Sequence, residues 1–358
     1  MDFYGLDAGF GIVRPLRLLN IQWNRRYYEC GDFEAQMTAG DYDPAIHYVY
    51  TSERPELGMV EKIETQHTVK GDFVTLSGHF LESMLNWKVI EFDEIKPADT
   101  EHPTAVARKL VGRWYVYDNE SPNNPPIARE GAKNLGTPTH YESVEGERLG
   151  DVTYRLLQAD EYSQYIRYNS ETGKLNWAIW QGVDRTSVQS TNSYAMFSQS
   201  FGNVDEMTVT LDTSAYCNIA FMVYANKAGG DVRTTGYAKG YTSTKPARYL
   251  YHNSGVDPEE YATDAKITQA VKAEGKLLLD TEYAPIVNIE AKVNQRNLCY
   301  LSNYDLGDKV DVRDDITGTE LSARIIEVNE VWQGGRHEVS LQFGNKIPTR
   351  YYGKGRWV

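Results

Sequence analysis

The sequence predicts a β-rich α+β fold, with two small β-barrel domains, N- and C-terminal, flanking α+β middle subdomains. Three observations predict it. Apolar residues near both ends alternate with a two-residue period, which is that of a half-buried strand. Helical spacing with start signals is confined to stretches between those ends. The chain of 358 residues carries 26 Tyr, 10 Phe and 7 Trp, a bias towards strands and protein–protein contacts.

The first ninety residues read as strands. In Arg17–Trp23, residues Leu19, Ile21 and Trp23 share one face. Gly31–Met37 follows, with Phe33, Ala35 and Met37 on one side. Gly58–Thr65 then leads through Lys70-Gly71-Asp72 into Phe73–Gly78, a hairpin joined across a Gly-containing turn. A helix comes next, capped by Asp99 or Thr100, with Pro103 in its first turns and Ala105, Val106, Leu110 and Val111 at helical spacing. Asp118–Pro138 holds four prolines and reads as a loop or boundary.

A second helix fits residues 149–165. Strands follow at Tyr165–Tyr168, Lys174–Gly182, Met207–Leu211 and Cys217–Tyr224, while Thr186–Ser200 reads as an exposed strand or a mobile loop. A third helix opens at Asp257-Pro258-Glu259-Glu260, where a capping Asp, a first-turn Pro and acids coincide, and runs to about Gly275. Strands return at Ile286–Val293, Lys309–Val312, Ala323–Trp332 and His337–Phe343. The domain reading is therefore 1–95 (N-terminal β-barrel), 96–185 (helix-containing subdomain), 186–280 (second α+β subdomain), 281–347 (C-terminal β-barrel) and 348–358 (a basic, aromatic tail).

The two ends echo one another. Gly31-Asp32 opens a strand before the Gly58–Gly78 hairpin, and Gly307-Asp308 opens one before the hairpin from Leu321 through Gly334-Gly335-Arg336 to Gly344. Alternation makes many hairpins look alike, so the echo by itself does not establish a repeat. If it is genuine, three chains carry six similar units, as a protein needs to sit on a six-fold tube.

Composition excludes several functions. A net charge of −13 argues against stable nucleic-acid binding, which needs clustered Lys and Arg. It also argues against an anionic membrane partner, and no apolar run approaches the roughly 20 residues of a spanning helix, so no membrane insertion is expected. Met1–Phe10 carries Asp2 and Asp7 in place of a basic then apolar leader, which predicts no signal peptide. Cys30, Cys217 and Cys299 are odd in number and far apart, predicting reduced thiols in a protein made in the cytoplasm.

No catalytic signature is present, neither a nucleophile elbow, a zinc-protease helix, nor a phosphate loop, so no enzyme activity, catalytic residue, metal or cofactor is assigned. The seven His are scattered. Asp311, Asp314 and Asp315 lack the spacing of a calcium loop and read as a solvated turn. Trp177 and Trp180 offer a surface for sugar stacking, but their alternation fits strand core or interface better. A carbohydrate-active or sugar-binding role stays as the rival reading, because any two carboxylates can meet in space.

At the end motif the sequence resembles a known family. Tyr300-Leu301-Ser302-Asn303-Tyr304-Asp305-Leu306-Gly307-Asp308-Lys309-Val310-Asp311-Val312, followed by Ala323–Val328, resembles the closing region of siphophage tail proteins akin to baseplate hubs. Trp23–Glu34, an aromatic-basic stretch running into Gly31-Asp32-Phe33-Glu34, resembles the family's start. The structural motif residues are thus Gly31, Asp32, Phe33, Asn303, Tyr304, Asp305, Gly307 and Asp308. The resemblance implies a bacteriophage or prophage virion protein at the tail tip, a baseplate hub forming a homotrimeric, pseudo-hexameric ring that passes DNA and tape measure at genome ejection. Its implied partners are the distal tail or tail tube protein, the tape measure protein, and a tail fibre, spike or receptor-binding protein. The equivalent hub of a contractile particle or a phage-tail-like bacteriocin fits the same residues.

Overall fold

The computed structural model describes residues 1–91, 100–117, 127–129, 134–140, 145–169 and 171–344. The strands and helices that carry the argument are β1 (Leu18–Arg26), β2 (Asp32–Thr38), β3 (Lys62–Thr68), β4 (Gly71–His79), α1 (Pro103–Val111), α2 (Leu149–Gln158), β5 (Val204–Asp212), β6 (Ile219–Ala225), β7 (Asp231–Tyr237), β8 (Tyr249–Asn253), α3 (Asp264–Thr281), β9 (Ile286–Val293), β10 (Lys309–Asp314), β11 (Thr319–Gln333) and β12 (Arg336–Gly344).

One sheet dominates. Eight of its strands lie in the order β5-β9-β12-β11-β1-β2-β4-β3, every pair antiparallel, and β10 with Met196–Phe197 branches off β11. Alternation sorts each strand into two faces. Ile21, Trp23, Phe33, Ala35, Met37, Val74 and Leu76 face one core, and Ile289, Ala291, Val293, Val339, Leu341 and Phe343 face another. The opposite face is mainly polar, with Glu34, Gln36, Thr75, Ser77, Thr208, Glu290, Ser340 and Gln342, although Phe73 and Val331 also lie on it.

The sheet is a repeat. Its halves, β1-β2-β4-β3 and β5-β9-β12-β11, have the same strand order, and their registers agree. Trp23 pairs with Phe33 as Val209 pairs with Ile289. Phe33 pairs with Gly78 as Ile289 pairs with Phe343. Thr68 closes its hairpin on Gly71 as Gln333 closes on Arg336. Even the β-bulge recurs, between Leu18 and Asn20 in β1 and between Val204 and Glu206 in β5. That bulge also exposes Leu19, which simple alternation had put on the buried face, because one extra residue inverts the phase. The hairpins of the sequence echo therefore correspond over Lys62–Gly78 and Glu327–Phe343, while Gly58–Met59 and Leu321–Arg324 pair with different strands. The strand that opens at Gly307-Asp308 does not: β10 lies off the main path, and β9 takes the place that β2 holds in the first half.

The two closed barrels expected at residues 1–95 and 281–347 are corrected by this arrangement. No described sheet closes on itself, and both ends of the chain share one sheet. The reason is edge satisfaction. The free N–H and C=O row of β1 is met by β11 from the far end of the chain, not by a strand of its own half. A four-stranded sheet of Phe3–Leu6, Ile12–Leu16, Tyr48–Tyr50 and Gly58–Met59 covers the first half's core, with Phe3, Leu16 and Val49 packed against Trp23 and Phe33.

Two helical layers are inserted in the chain, one between the halves and one between β5 and β9. Helices α1 and α2 pack on one another, and their Val106, Leu110, Val152 and Leu157 share a core with the hairpin Ser163–Asn169 and Lys174–Trp180. Helix α3 packs through Ile267, Ala270, Val271 and Leu278 on one face of the sheet β7-β6-β8, where Ala220, Met222 and Leu250 meet it. Helix bounds differ from the sequence reading. His102 precedes α1, since Thr100–Glu101 forms a short strand; Asp99 and most of Asp118–Pro138 fall outside the described residues, as does 348–358. Helix α2 stops at Gln158, after which the chain turns into a strand at Ser163. Asp257 caps only a 3-10 turn at Pro258–Glu260; Thr263 caps α3, which runs through Gly275 to Thr281. The start signal was real but too short-ranged, because a 3-10 turn uses the same capping chemistry.

Leu76 and Leu341 occupy equivalent, fully shielded positions in the two halves. Leu76→Ala and Leu341→Ala are each expected to lower stability by about 2–5 kcal/mol, read from urea unfolding. A neutral result at either site would mean that its half lacks a packed core.

Candidate functional site

Among the described residues the candidate site is the seam where β1 meets β11. Glu327 pairs with Arg26, Val328 with Arg25, Glu330 with Trp23 and Trp332 with Ile21. Trp23 lies between Phe33 and Phe80, at 5.7 and 4.7 Å between ring centres, and Phe3 touches both Trp23 and Trp332. Burial of such rings supplies most of the local adhesion.

Charges are buried in the same place. The Arg25 side chain is 2% exposed; its guanidinium donates to Glu56 at 2.8 Å, to Asp305 at 2.6 Å and to the Tyr300 hydroxyl. Arg54 makes a two-pronged pair with Glu330, whose side chain is 0% exposed, and Nε to Oε1 is 2.6 Å. His337 Nε2 lies 2.9 Å from the same carboxylate. The Arg54 guanidinium also sits over Tyr300 and Trp332, at 5.2 and 5.7 Å. Arg324 holds Glu161 at 2.5 Å and the Gly307 carbonyl, and lies over Tyr27. Burial opposes ionisation of Glu330, but the hydrogen bonds from Arg54 and His337 and the positive charges of Arg54 and Arg25 outweigh it, holding the carboxyl below its usual range. Arg25 and Arg54 each tie a segment from one end of the chain to one from the other, and Arg324 ties the second half to Glu161 of the middle of the chain, so Arg25 and Arg54 fix how the two halves of the sheet meet.

The motif residues expected from sequence lie around this seam. Gly31 sits where a side chain would collide with the Asn24 carbonyl and the Phe80 ring. Asp32 accepts from Asn24 Nδ2 at 2.6 Å and pairs with Arg26. Phe33 is core. Asn303 Oδ1 accepts from the Cys299 amide at 2.8 Å, closing the turn that buries Tyr304. Asp305 reaches Arg25. Gly307 has φ +81°, and a side chain there would strike Tyr27. Asp308, buried, accepts from the Val183 amide at 2.8 Å and from Arg185 at 2.6 Å. These residues shape turns and joints.

Sequence reasoning missed Arg54, Glu56 and Glu330 altogether. One signal existed: Arg25 and Glu330 sit at core-phase positions, in step with Ile21 and Trp23 and with Val328 and Trp332, where an unpaired charge is intolerable. The acidic turn reading is corrected in part. Asp311 is buried and accepts from Ser322 Oγ at 2.6 Å and the Ser187 amide at 2.9 Å. Asp314 caps its own turn, and Asp315 binds Ser198 and Ser200 of the polar loop. Among the described residues no group of three His, Cys, Asp or Glu is placed to hold a metal ion. Trp177 is buried and donates to Gln164 at 3.0 Å, while Trp180 packs on Tyr27. Glu82 is a buried carboxyl pushed up to about 7 by its burial, with Glu56 adding to the effect. It accepts from the Ile166 amide at 3.1 Å. No described helix is long and apolar enough to cross a membrane.

The polar face of the sheet forms a shallow trough lined by Glu206, Thr208, Glu290, Lys292, Asn329 and Gln342. On that face acids such as Glu34, Glu64, Glu206, Glu290, Glu327 and Glu338 outnumber Arg26, Lys62, Lys292 and Arg336.

The model of a family described as Siphovirus ReqiPepy6 Gp37-like protein matches residues 17–345. No curated protein matches the sequence significantly. Among solved structures, a tail protein from Neisseria meningitidis MC58 is similar at 12% identity and TM-score 0.58, over 96% of each chain. The 43 kDa tail protein of prophage MuSo2 from Shewanella oneidensis is similar at 15% identity and TM-score 0.58, over 97% of this chain and 99% of that one. Prophage tail protein gp18 from Listeria monocytogenes EGD-e matches at 12% identity and TM-score 0.58, over 97% and 95%. At such identities the likeness is one of fold.

Two outcomes test the seam. Arg54→Met strands a buried carboxylate and is expected to cost about 3–5 kcal/mol, whereas Arg54→Met with Glu330→Leu should recover most of it; equal losses in a double-mutant cycle would show that the pair is uncoupled. For pH, the folded-state pKa of Glu330 is depressed, so its contribution is fully present above the ordinary Glu value of about 4.3 and is lost as pH falls through the lower folded value. Urea midpoints of the native chain should therefore fall more steeply below that pH than those of Glu330→Gln.

Proposed function

We propose, from the premise that this chain belongs to the Siphovirus ReqiPepy6 Gp37-like family, that it is a structural hub at the tip of a phage or prophage tail. Three copies form a ring that joins the six-fold tail tube to a three-fold tip. The observation that carries this reading is the repeat: one chain holds two equivalent four-stranded units side by side in one open sheet. Three chains thus present six units, matching a six-fold partner with a three-fold assembly.

The sheet also supports closure. It holds eight strands in alternating direction, so its two free edges, β3 and β5, run opposite ways. A three-fold axis along the strands brings one copy's β3 beside the next copy's β5 without breaking the antiparallel pattern. A barrel of three such sheets is larger than the roughly 16–18 strands at which barrels keep an aqueous channel. The apolar face already carries the smaller sheet and further layers, so closure leaves the polar face to line the channel. An acidic wall repels passing DNA and keeps it from sticking. The distal tail or tube protein then sits above the ring, the tape measure inside, and a fibre, spike or receptor-binding protein below. The hub works as a joint and a conduit with no chemistry of its own. The same reading places the protein in the virion after synthesis in the host cytoplasm.

The test is the mass of the full chain by light scattering up to its solubility limit, with imaging of any rings alone and on tails. A closed trimer with the trough face inward is expected. A dimer, an open filament, or a ring with that face outward would overturn the reading.

A further inference from the structure

We propose that β3 of one copy pairs with β5 of the next in the same register that β11 and β1 show inside the chain. The inference rests on the three-copy reading and adds to it a residue-level joint. The occupant of each free edge is a second copy, because the chain itself contains the worked example of that pairing. Strand β3 is the counterpart of β11, and β5 is the counterpart of β1, by the matching hairpin ends and the matching bulge. The seam register of β11 on β1 therefore converts directly. Trp23 opposite Glu330 becomes Val209 opposite Thr65 of the next copy. Arg25 opposite Val328 becomes Leu211 opposite Ile63. Arg26 opposite Glu327 becomes Asp212 opposite Lys62.

Two features of the exposed edges fit this conversion. Ile63 and Leu211 are large apolar residues left 48% and 53% exposed in the single chain. They lie on opposite edges of the sheet, and the register sets them face to face. Cross-strand neighbours of that kind lie about 4.5–5.5 Å apart, close enough to shield each other. At the next position the internal seam carries an ion pair, Arg26 with Glu327 at 3.4 Å. The converted pair, Asp212 with Lys62, again joins opposite charges, with the signs exchanged. In the single chain Lys62 lies beside Glu64, and Asp212 accepts from the Ser214 amide. Both groups are surface-exposed and face the polar side, within reach of a neighbouring strand. A register slipped by one residue would set Ile63 against Asp212 or Thr210 and put apolar and polar faces on the same side of the joint.

The experiment uses the full chain with Cys299→Ser, to silence the exposed thiol, and Ile63→Cys with Leu211→Cys. Opposed residues have the Cα separation a disulfide needs, so mild oxidation should convert most of the chain into a covalent, ring-closed trimer. Ile63→Cys with Thr210→Cys, whose second thiol points to the other face, should not crosslink. Lys62→Glu should weaken trimer association at least about tenfold by opposing two acids at each of three joints, and Lys62→Glu with Asp212→Lys should restore it. A native trimer in which Thr210→Cys crosslinks and Leu211→Cys does not, or in which the charge exchange fails to rescue, would overturn the register while leaving the ring intact. A chain that never forms trimers, alone or on tails, would overturn the ring reading and this joint with it.

Discussion

The structure depends on one edge-to-edge junction, the pairing of β1 with β11. A strand edge is a row of unmet backbone donors and acceptors, and it draws to itself whatever complementary row is presented. Here the complementary row comes from the far end of the chain, so strands close to its two ends become neighbours. The helical segments between them leave the sheet and return, so the helical layers sit off it and not within it. The backbone bonds alone would allow the halves to slip. Trp23 and Phe3 against Trp332 fill the space beside the junction, and the Arg54–Glu330 pair allows one register only.

Buried ion pairs rarely add net stability over an apolar substitute, since desolvation offsets their attraction. They do penalise every arrangement that separates them. At this seam such a penalty has a use. A sheet built from two equivalent units has several ways to pair its edges, and apolar contact alone would discriminate weakly among them. Arg25 and Arg54 each join segments distant in sequence, so a wrong pairing separates Arg25 from Asp305 and Arg54 from Glu330 at once.

The polar face and the apolar face divide the work of the molecule. The apolar face supports the smaller sheet in the first half and Phe197, Tyr304 and Leu306 in the second. The polar face stays bare. A wall of this kind, with acids in excess over Lys and Arg, offers a passing polyanion few cations to bind. This division follows from two-residue alternation, the simplest pattern in the sequence, and depends on every strand keeping phase with its neighbours. The recurring bulge shows how firmly that phase is held: an extra residue is accommodated at the same place in both halves.

By itself the sequence determined the strands and their buried sides. Alternation is a local property, and Phe33, Ala35, Met37, Ile289, Ala291 and Leu341 could be placed from it without knowing any neighbour. It determined the hairpins, because a Gly-containing turn joins residues close in the chain, and it carried the resemblance to siphophage tail proteins at both ends. Only the tertiary structure decided which edges meet. Hydrogen bonding between backbones is blind to side-chain identity, so no residue of β1 announces β11 as its partner, and two separate barrels were as consistent with the pattern as one shared sheet. The buried pairs were hidden for the same reason: Arg54 and Glu330 are ordinary charged residues until folding removes water from both, and only then does each require the other.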